Sequence, residues 1–336
     1  MAEMNNGQPI VIGENINTTR RIRADSVNIV KRDDKVFWRY KGLDGEPGYL
    51  DVTSEYPEDP AQLATARIGH IGQGVRNQEI DFLTWAIKAQ VNAGSSIVDL
   101  CVDELSVYPE ERHDYMRWIV KTAQSICPEV SFAVDSSDPE TIRAGIEVYD
   151  MSLSRPSINS VSLEPGRDVV IDLGKEVGAQ IFGNGSGDSG MPQDAAERVA
   201  NLTKLMGMMD EREVPMGDRF LDPLVFPIGA GPHFGNHFLD AVRELRAAFP
   251  EVHLFGGLSN VSFGMPRRKL LNDAFIRLAM DAGCDTLMID PLMNSLAEIT
   301  APPANEEEYQ LAAKVMTAED EFGLKFLKYT RSQAKK

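Results

Sequence analysis

The chain has 336 residues, of which 43% are hydrophobic and 25% are charged, as is ordinary for a globular protein with a large core. Its 34 Lys and Arg stand against 51 Asp and Glu, and the resulting net charge of −17 disfavours nucleic acids and anionic membranes as partners. Because no apolar run reaches the roughly 20 residues of a membrane span, and residues 1–9 lack a signal-peptide core, we expect a soluble, cytoplasmic protein.

Short β-rich apolar runs alternate with longer segments of helical periodicity along almost the whole chain. Eight runs are predicted strands: 9–13, 96–102, 130–134, 157–161, 179–182, 219–222, 252–258 and 286–289. The predicted helices cover 78–93, 109–127, a segment opening at 138, 167–177, 194–213, 236–249, 269–282 and 306–330. Eight strands, each followed by a helix, predict an α/β fold of the TIM (β/α)8 barrel type, with an open doubly wound sheet as the alternative.

Residues 18–76 interrupt this alternation between the first strand and the first predicted helix. The stretch is rich in Gly, Pro, Asp and Tyr and contains β-like pieces at 36–40 and 49–52. Because a structureless loop of this length is uncommon inside a compact domain, we predict an insertion with its own hairpins. The chain is then a single barrel over residues 1–336. The insertion follows strand one and should lie over the carboxyl-terminal rim, where barrel active sites are found.

Polar residues stand at or beside the carboxyl end of almost every predicted strand. In chain order they are Glu14, Asn15 and Asn17; Asp99, Asp103 and Glu104; Asp135, Ser136 and Ser137; Asn159 and Ser160; Asn184; Asp222; Ser259 and Asn260; and Asp290. Any one of them could cap a helix or close a turn, as we expect of Asp138, and Asp103, Glu104 and Asp290 could be rim structure. Their convergence predicts a polar ligand pocket at the barrel mouth.

The composition of these strand ends narrows the class of ligand. They are rich in Asp and Asn and poor in Lys, Arg and His, which disfavours a phosphate or a polyanion. A carboxylate can accept two parallel hydrogen bonds from an amino group and a neighbouring ring N–H, the pair that the 2-amino-4-oxo edge of a pterin offers. The glycine-rich stretch 183–190 lacks the features of a phosphate-binding loop, and we predict an active-site loop there.

Cysteine and histidine spacing gives no sign of a metal site. Cys101, Cys127 and Cys284 are far apart, without a C-x-x-C pair, and are predicted to be reduced and buried. His233 and His237 are four residues apart but lack the pattern of a zinc hydrolase. We therefore expect no metal centre on this chain.

Several short motifs carry a resemblance to a known family. They are residues 12–17, 134–137, 158–160, 190–192, 221–224, the Gly-Leu-Ser-Asn-Val-Ser run at 257–262, and Arg268. In order and spacing, over nearly the whole chain outside 18–76, the sequence resembles the pterin-binding methyltransferases that exchange a methyl group between methyltetrahydrofolate and a corrinoid protein. These are relatives of the folate domain of cobalamin-dependent methionine synthase. The run at 257–262 is the most specific motif, and the resemblance implies a TIM barrel and a homodimer.

The resemblance also implies roles for individual residues. Asp135, Asn159 and Asp222 would hold the pterin edge, and Asn260 would reach the N5 region, so that Asp222 and Asn260 are the predicted catalytic residues. The further predicted binding residues are Glu14, Asn17, Asp99 and Ser259 in the wall of the site and Arg268 near the folate or its closing loop. Two features depart from the family pattern: Cys101 replaces a usual Asn, and segment 18–76 is longer than in the simplest members.

The implied substrate is tetrahydrofolate or 5-methyltetrahydrofolate, and methyl transfer can run in either direction, including a demethylation pathway. The Asp-x-His-x-x-Gly signature of corrinoid-binding domains is absent, so the cobalamin is expected on a separate corrinoid-binding protein. Dihydropteroate synthase is an alternative, although its Asp-Pro-Gly loop is replaced here by Asp222-Pro223-Leu224. A zinc-dependent barrel methyltransferase lacks its ligands here, and a non-catalytic folate-binding protein is the remaining alternative.

Overall fold

The computed structural model describes residues 8–188 and 190–333. The strands are β1 (Ile10–Asn17), β2 (Ile22–Arg23), β3 (Ile29–Arg32), β4 (Lys35–Lys41), β5 (Pro47–Asp51), β6 (Arg67–Ile68), β7 (Ile97–Cys101), β8 (Ser131–Asp135), β9 (Ser157–Val161), β10 (Gln180–Asn184), β11 (Arg219–Asp222), β12 (His253–Leu254) and β13 (Thr286–Ile289). The helices are α1 (His70–Arg76), α2 (Ile80–Asn92), α3 (Pro109–Ile126), α4 (Pro139–Ile146), α5 (Val169–Val177), α6 (Ala195–Glu211), α7 (Phe234–Ala248), α8 (Arg268–Ala282), α9 (Leu296–Thr300), α10 (Glu306–Met316) and α11 (Leu324–Gln333).

Eight of these strands form one sheet in the order β12-β11-β10-β9-β8-β7-β1-β13. The pairs β7–β8, β8–β9, β10–β11 and β11–β12 run parallel. Gly257, just after β12, pairs in parallel with Met288 of β13, so that the two ends of the sheet meet. The predicted TIM barrel is therefore confirmed, and the open doubly wound sheet is wrong.

Strand register brings the polar strand ends into line. The apolar run of β7 is buried at every position, as expected for a parallel strand covered on both faces. In β8 only the terminal residues, including Asp135, retain exposure. Cys101 lies opposite Asp135, Asp135 lies opposite Asn159, and Asn184 lies opposite Asp222. Neighbouring parallel strands thus end together and present their last side chains at one level.

The chain divides into two compact units. The first unit comprises residues 13–92 and 97–159 and therefore holds the inserted segment together with the ends of β1, β7 and β8. The second unit comprises the residues up to 12, 93–96 and those from 160 onward, with the ends of β10, β11, β12 and β13. Each unit accordingly carries its own set of polar strand ends.

The inserted segment contains an antiparallel sheet in the order β3-β4-β5 and a small pair of strands, β2 and β6. The two β-like pieces predicted at 36–40 and 49–52 are strands β4 and β5. Helix α1 was not predicted. It packs closely on α2. A Cβ atom at Gly74 would lie only 2.5 Å from the ring of Phe82, so the close approach requires glycine at this position. The location of segment 18–76 over the barrel rim stays a prediction.

An aromatic cluster attaches this small sheet to α2. Trp38 and Tyr40 are two residues apart in β4 and so lie on one face of the sheet. The Trp38 ring lies 6.0 Å from that of Phe82 and 5.9 Å from that of Trp85, and the Tyr40 ring lies 4.4 Å from that of Trp85. His70 of α1 lies 4.8 Å from Trp38. Aromatic burial therefore stabilises the inserted sheet against the barrel helix.

Three element boundaries differ from the sequence prediction. Strand β1 extends to Asn17, and β12 is only two residues long. The helix predicted over 306–330 is broken into α10 and α11, because Ala318 and Phe322 have left-handed φ angles of 60° and 54°. Asp320 then accepts the backbone N–H groups of the first turn of α11 and starts a new helix.

Other predictions about the chain concern its cysteines and its apolar segments. Cys101, Cys127 and Cys284 are free and buried, as predicted. Within residues 8–188 and 190–333, no helix has both the length and the apolarity needed to cross a bilayer.

Truncation of the cluster tests its contribution to stability. We expect Trp38→Ala to lower the free energy of unfolding by about 3 kcal/mol, because it removes the ring that contacts both α1 and α2. Urea unfolding followed by circular dichroism measures the change. The matched control is Tyr108→Ala, at a ring that is 62% exposed, and a loss no larger than that of the control would contradict the assignment.

Candidate active site

In the first unit, three polar residues meet at the ends of adjacent strands. Asp99 of β7 is fully buried, and the amide Nδ2 of Asn159 donates to its Oδ1 over 3.0 Å. Asp135 ends the strand between them and lies beside Asn159 in register. The Asn159 NH2 group donates one hydrogen bond to Asp99, and the side-chain carbonyl oxygen of Asn159 can accept a hydrogen bond from a ligand. The predicted binding residues Asp99, Asp135 and Asn159 therefore form one carboxyl–amide group.

Burial and like charge dominate the electrostatics of this group. Burial raises the pKa of Asp99 well above its usual range, and the neighbouring Asp135 and Glu14 carboxylates raise it further. Two carboxyl groups in such a place share a proton, because the low-dielectric surroundings disfavour two negative charges. These surroundings therefore favour the neutral form of Asp99.

Glu14 and Asn17 of β1 are tied to the start of the inserted segment. Arg20 lies 3.5 Å from the carboxylate of Glu14. The Asn17 Oδ1 accepts the N–H and the hydroxyl of Thr19 over 2.9 and 2.6 Å, so its amide NH2 is the part that remains for a ligand. Sequence reasoning missed Arg20, because a cation from an insertion gives no periodic signal.

Two other acidic residues near these strand ends have structural partners. Asp103 accepts the hydroxyl groups of Ser136 and Ser137 over 2.6 and 2.7 Å and fixes the turn after β8. Asp138 caps α4 through the N–H of Glu140. Both therefore hold the rim in shape, as the sequence allowed for Asp103 and predicted for Asp138.

In the second unit, Asp222 ends β11 and accepts the backbone N–H of Leu224 over 2.7 Å. The N–H of Gly257 also stabilises its carboxylate. Burial raises the pKa of Asp222 to about 7, against the lowering by the two N–H donors and by the charge of Arg198. Leu224 has a φ of 70°, which is costly for a residue other than glycine. The left-handed conformation of Leu224 thus directs its backbone N–H toward the Asp222 carboxylate.

Arg198 of α6 holds this turn and was missed in the sequence. It is fully buried, its Nε donates to the Leu224 carbonyl over 3.4 Å, and its Nη1 donates to the Asp194 carbonyl over 2.8 Å. Its guanidinium lies 4.6 Å from the Phe226 ring centroid. Nη2 is buried without a partner among the described residues. The signal was present: position 198 falls in the apolar periodicity of Leu202, Leu205 and Met209.

The turn after β12 presents two polar groups without a protein partner. The 3-10 helix Leu258–Ser262 begins as the Asn260 N–H bonds the Gly257 carbonyl over 3.0 Å. Within the described part of the chain, the Asn260 side-chain amide has no hydrogen-bond partner, and the Ser259 hydroxyl is buried without one. Unpaired polar groups at such a position are available to a ligand.

Arg268 connects this turn to α8. Its Nη2 donates to the Ser259 carbonyl over 2.9 Å and its Nε donates to the Ser262 hydroxyl over 3.0 Å. The Ser262 hydroxyl in turn donates to Asn272 over 2.6 Å. Two of the Arg268 donors therefore fix the backbone that carries Asn260. In this unit the structure brings Ser259, Asn260 and Arg268 together, and Asp222 reaches them through the N–H of Gly257.

The model of the protein family described as "Pterin binding enzyme" matches residues 71–290 of the chain. The chain therefore belongs to the pterin-binding enzymes, and the family resemblance found in its motifs is confirmed. This match spans the ends of the barrel strands from β7 to β13, where both groups of polar residues lie.

Among individual relatives, the chain is similar to the methylcorrinoid:tetrahydrofolate methyltransferase of Eubacterium limosum. The two are 28% identical over 225 residues, which cover 66% of this chain and 80% of the relative. It is also 26% identical over 217 residues to the methionine synthase of Mycobacterium tuberculosis (strain ATCC 25618 / H37Rv). That match covers 60% of this chain and only 17% of the methionine synthase.

Solved structures with a similar fold include two dihydropteroate synthases. The Xanthomonas albilineans enzyme, in complex with indole-2-carboxylic acid and 6-chloroguanine, matches with a TM-score of 0.53 and 15% identity over 88% of this chain and 91% of its own. The 7,8-dihydropteroate synthase of Vibrio fischeri ES114 matches with a TM-score of 0.52 and 14% identity over 95% and 97%. At these identities the likeness is one of fold.

The raised pKa of Asp222 predicts a stability effect with a defined sign. The folded chain keeps a proton on Asp222 that the unfolded chain loses, so the free energy of unfolding falls as pH rises from about 4 to about 7. We expect Asp222→Asn to match the wild type near pH 4 and to be more stable at pH 8, as measured by urea unfolding. Asp281→Asn, at an exposed carboxylate, is the control. An equal difference at both pH values would refute the shift.

Proposed function

We propose that this protein transfers a methyl group between N5 of tetrahydrofolate and the cobalt of a corrinoid carried by a separate protein. Family membership supports a pterin ligand, and the similar relative from Eubacterium limosum supports the reaction and its direction from methylcorrinoid to tetrahydrofolate. The observation that carries the proposal is the carboxyl–amide group of the buried Asp99 with the half-buried Asp135 and Asn159, whose acceptors match an uncharged ring edged with N–H donors.

In this proposal the pterin edge binds to the first group through its amino group and ring N–H. The ionised Asp135 accepts both hydrogen bonds. Asp99 is protonated, so the negative charge of the pair lies on Asp135. Asn159, fixed by its bond to Asp99, contributes its carbonyl oxygen. Glu14, whose charge is compensated by Arg20, and the NH2 of Asn17 complete the wall.

The second group acts at N5. The Asn260 amide, which has no partner within the described part of the chain, hydrogen-bonds N5 and follows its change of charge. The buried Ser259 hydroxyl contacts the same ring. Asp222 supports positive charge at N5 in its ionised form and completes the hold on the pterin. Arg268 serves as a positioning residue that keeps the Asn260 turn in place.

The reaction balances as an in-line displacement. The electron pair of N5 forms the new bond to the methyl carbon, the cobalt–carbon pair stays on cobalt as Co(I), and the N5 proton passes to solvent. In the reverse direction Co(I) attacks the methyl group, and N5 leaves with a proton. Alignment of the two reactants supplies most of the acceleration, up to about 7–11 kcal/mol in ideal geometry.

Further parts of the proposal rest on the family resemblance. They are a homodimer, a cytoplasmic location, cobalamin held by the partner protein, and segment 18–76 as an insertion of a single barrel domain near that partner. Dihydropteroate synthase chemistry is the rival and requires cations for a departing pyrophosphate. Arg198 and Arg268 direct two donors each to the protein, which leaves few for a pyrophosphate, and Arg198 is fully buried. A non-catalytic folate-binding protein would bind methyltetrahydrofolate without transferring its methyl group to free cob(I)alamin.

Removal of the main acceptor tests the pterin site. We expect Asp135→Ala to raise the Kd for methyltetrahydrofolate at least about 30-fold while the circular dichroism spectrum is unchanged, because two charge-assisted hydrogen bonds are lost. Isothermal titration calorimetry measures the affinity. Asp114→Ala, at a side chain that is 82% exposed, is the matched control. An unchanged affinity in Asp135→Ala would remove the core of the assignment.

Asn260 should affect the rate far more than the binding. We expect Asn260→Ala to slow methyl transfer between methyltetrahydrofolate and free cob(I)alamin by about 100-fold, because a hydrogen bond that strengthens with the charge on N5 is lost. The Kd for methyltetrahydrofolate, measured in the same preparation, should change by no more than a few-fold. A rate within a few-fold of wild type would defeat the role given to this amide.

A further inference from the structure

An exposed aromatic ring follows the Asn260 turn directly. Phe263 lies three residues after Asn260 and is 49% exposed. Single exposed apolar side chains are common on protein surfaces, so exposure alone assigns no role. What sets Phe263 apart is that its backbone bonds to Asn260, whose amide the proposed reaction places at N5, and that its ring contacts Arg268.

Two contacts hold Phe263 in place. Its backbone N–H donates to the Asn260 carbonyl over 3.2 Å, which fixes the start of the residue relative to the turn. The Arg268 guanidinium lies 4.6 Å from the centroid of its ring. Because the same guanidinium also donates to Ser259 and Ser262, the ring and the Asn260 turn share one anchor. A ring ordered in this way loses little conformational entropy when a ligand contacts it.

Apolar side chains are also exposed on other loops that follow strands of this unit. Leu292, after β13, is 47% exposed, and Met191, after β10, is 59% exposed. Gly257, at the start of the Asn260 turn, pairs with Met288 of β13, so Leu292 belongs to the loop that follows the neighbouring strand. The strand-end loops of the second unit therefore present apolar contacts next to polar, ligand-available groups.

We propose that Phe263 contacts the corrin ring of the methyl carrier and aligns it with N5. The inference rests on the proposed function, because in-line transfer requires the corrin plane to face the methyl group on N5. The Asn260 amide is assigned to N5, so the corrin edge must pass close to Phe263. A corrin ring is a broad macrocycle whose edge bears many methyl groups, and such an edge packs well on an aromatic face.

Kinetics with free methylcobalamin test this contact without a protein carrier. We expect Phe263→Ala to raise the KM for methylcobalamin about tenfold, with the Kd for methyltetrahydrofolate within twofold of wild type. Phe263→Leu, which keeps an apolar side chain, should recover much of the loss. The matched control is Phe322→Ala, at a ring that is 55% exposed before α11, and its KM should equal that of wild type.

Three outcomes would overturn the assignment. One is an unchanged KM for methylcobalamin in Phe263→Ala. Another is a parallel loss of methyltetrahydrofolate affinity in both Phe263 variants, because the ring would then only support the turn. The third is a defect seen with a corrinoid protein but not with free methylcobalamin, since the ring would then bind the carrier polypeptide.

Failure of the proposed function itself would be recognised separately. In that case the wild-type protein transfers no methyl group, whereas spectrophotometric titration still measures methylcobalamin binding to wild type and to Phe263→Ala. Weaker binding in the variant would support the contact, and equal or absent binding would overturn it.

Discussion

The cost of burying charge at the barrel strand ends is the constraint on which the rest of this site depends. Asp99 is completely enclosed and faces a second carboxylate, Asp135. An isolated buried anion would be very unfavourable, and a second one beside it more so. The raised pKa of Asp99 favours its neutral form and so lowers this cost, and the Asn159 hydrogen bond lowers it further. The same arrangement places the Asp135 carboxyl beside an amide fixed by Asp99, and these are the groups to which we assign recognition of an uncharged donor edge.

The cost of burying a carboxylate is also reduced at Asp222, but by other groups. Here two backbone N–H groups and the buried Arg198 oppose the effect of burial, and the pKa comes to about 7. The Leu224 N–H is available because that residue accepts a left-handed conformation, and Arg198 bonds its carbonyl. A strained backbone at Leu224 and the buried Arg198 cation therefore both act on the Asp222 carboxylate. A group poised near neutrality responds to the charge of its ligand, which is the behaviour that the proposed methyl transfer at N5 requires.

The inserted segment combines structural independence with a direct link to the polar strand ends. Its sheet is attached through the cluster around Trp38, so its stability depends on aromatic packing against α2. Its first residues instead serve the site, since Arg20 compensates Glu14 and Thr19 fixes Asn17. Residues that look like a loop in the sequence therefore contact two residues that we propose for the wall of the binding site.

The sequence by itself determined the barrel and its polar strand ends, because periodicity and strand-end composition are local properties of the chain. The family resemblance also indicated Asp135, Asn159 and Asp222 as the main pterin-binding residues and gave Asp99 only a place in the wall, whereas the structure joins Asp99 to Asp135 and Asn159. The sequence did not reveal that the side-chain oxygen of Asn17 accepts hydrogen bonds from Thr19, or that Arg20 pairs with Glu14. Nor did it reveal that Arg268 donates to Ser259 and Ser262. Tertiary structure decided these pairings, because hydrogen bonds and charge compensation depend on distances between residues that no local pattern encodes.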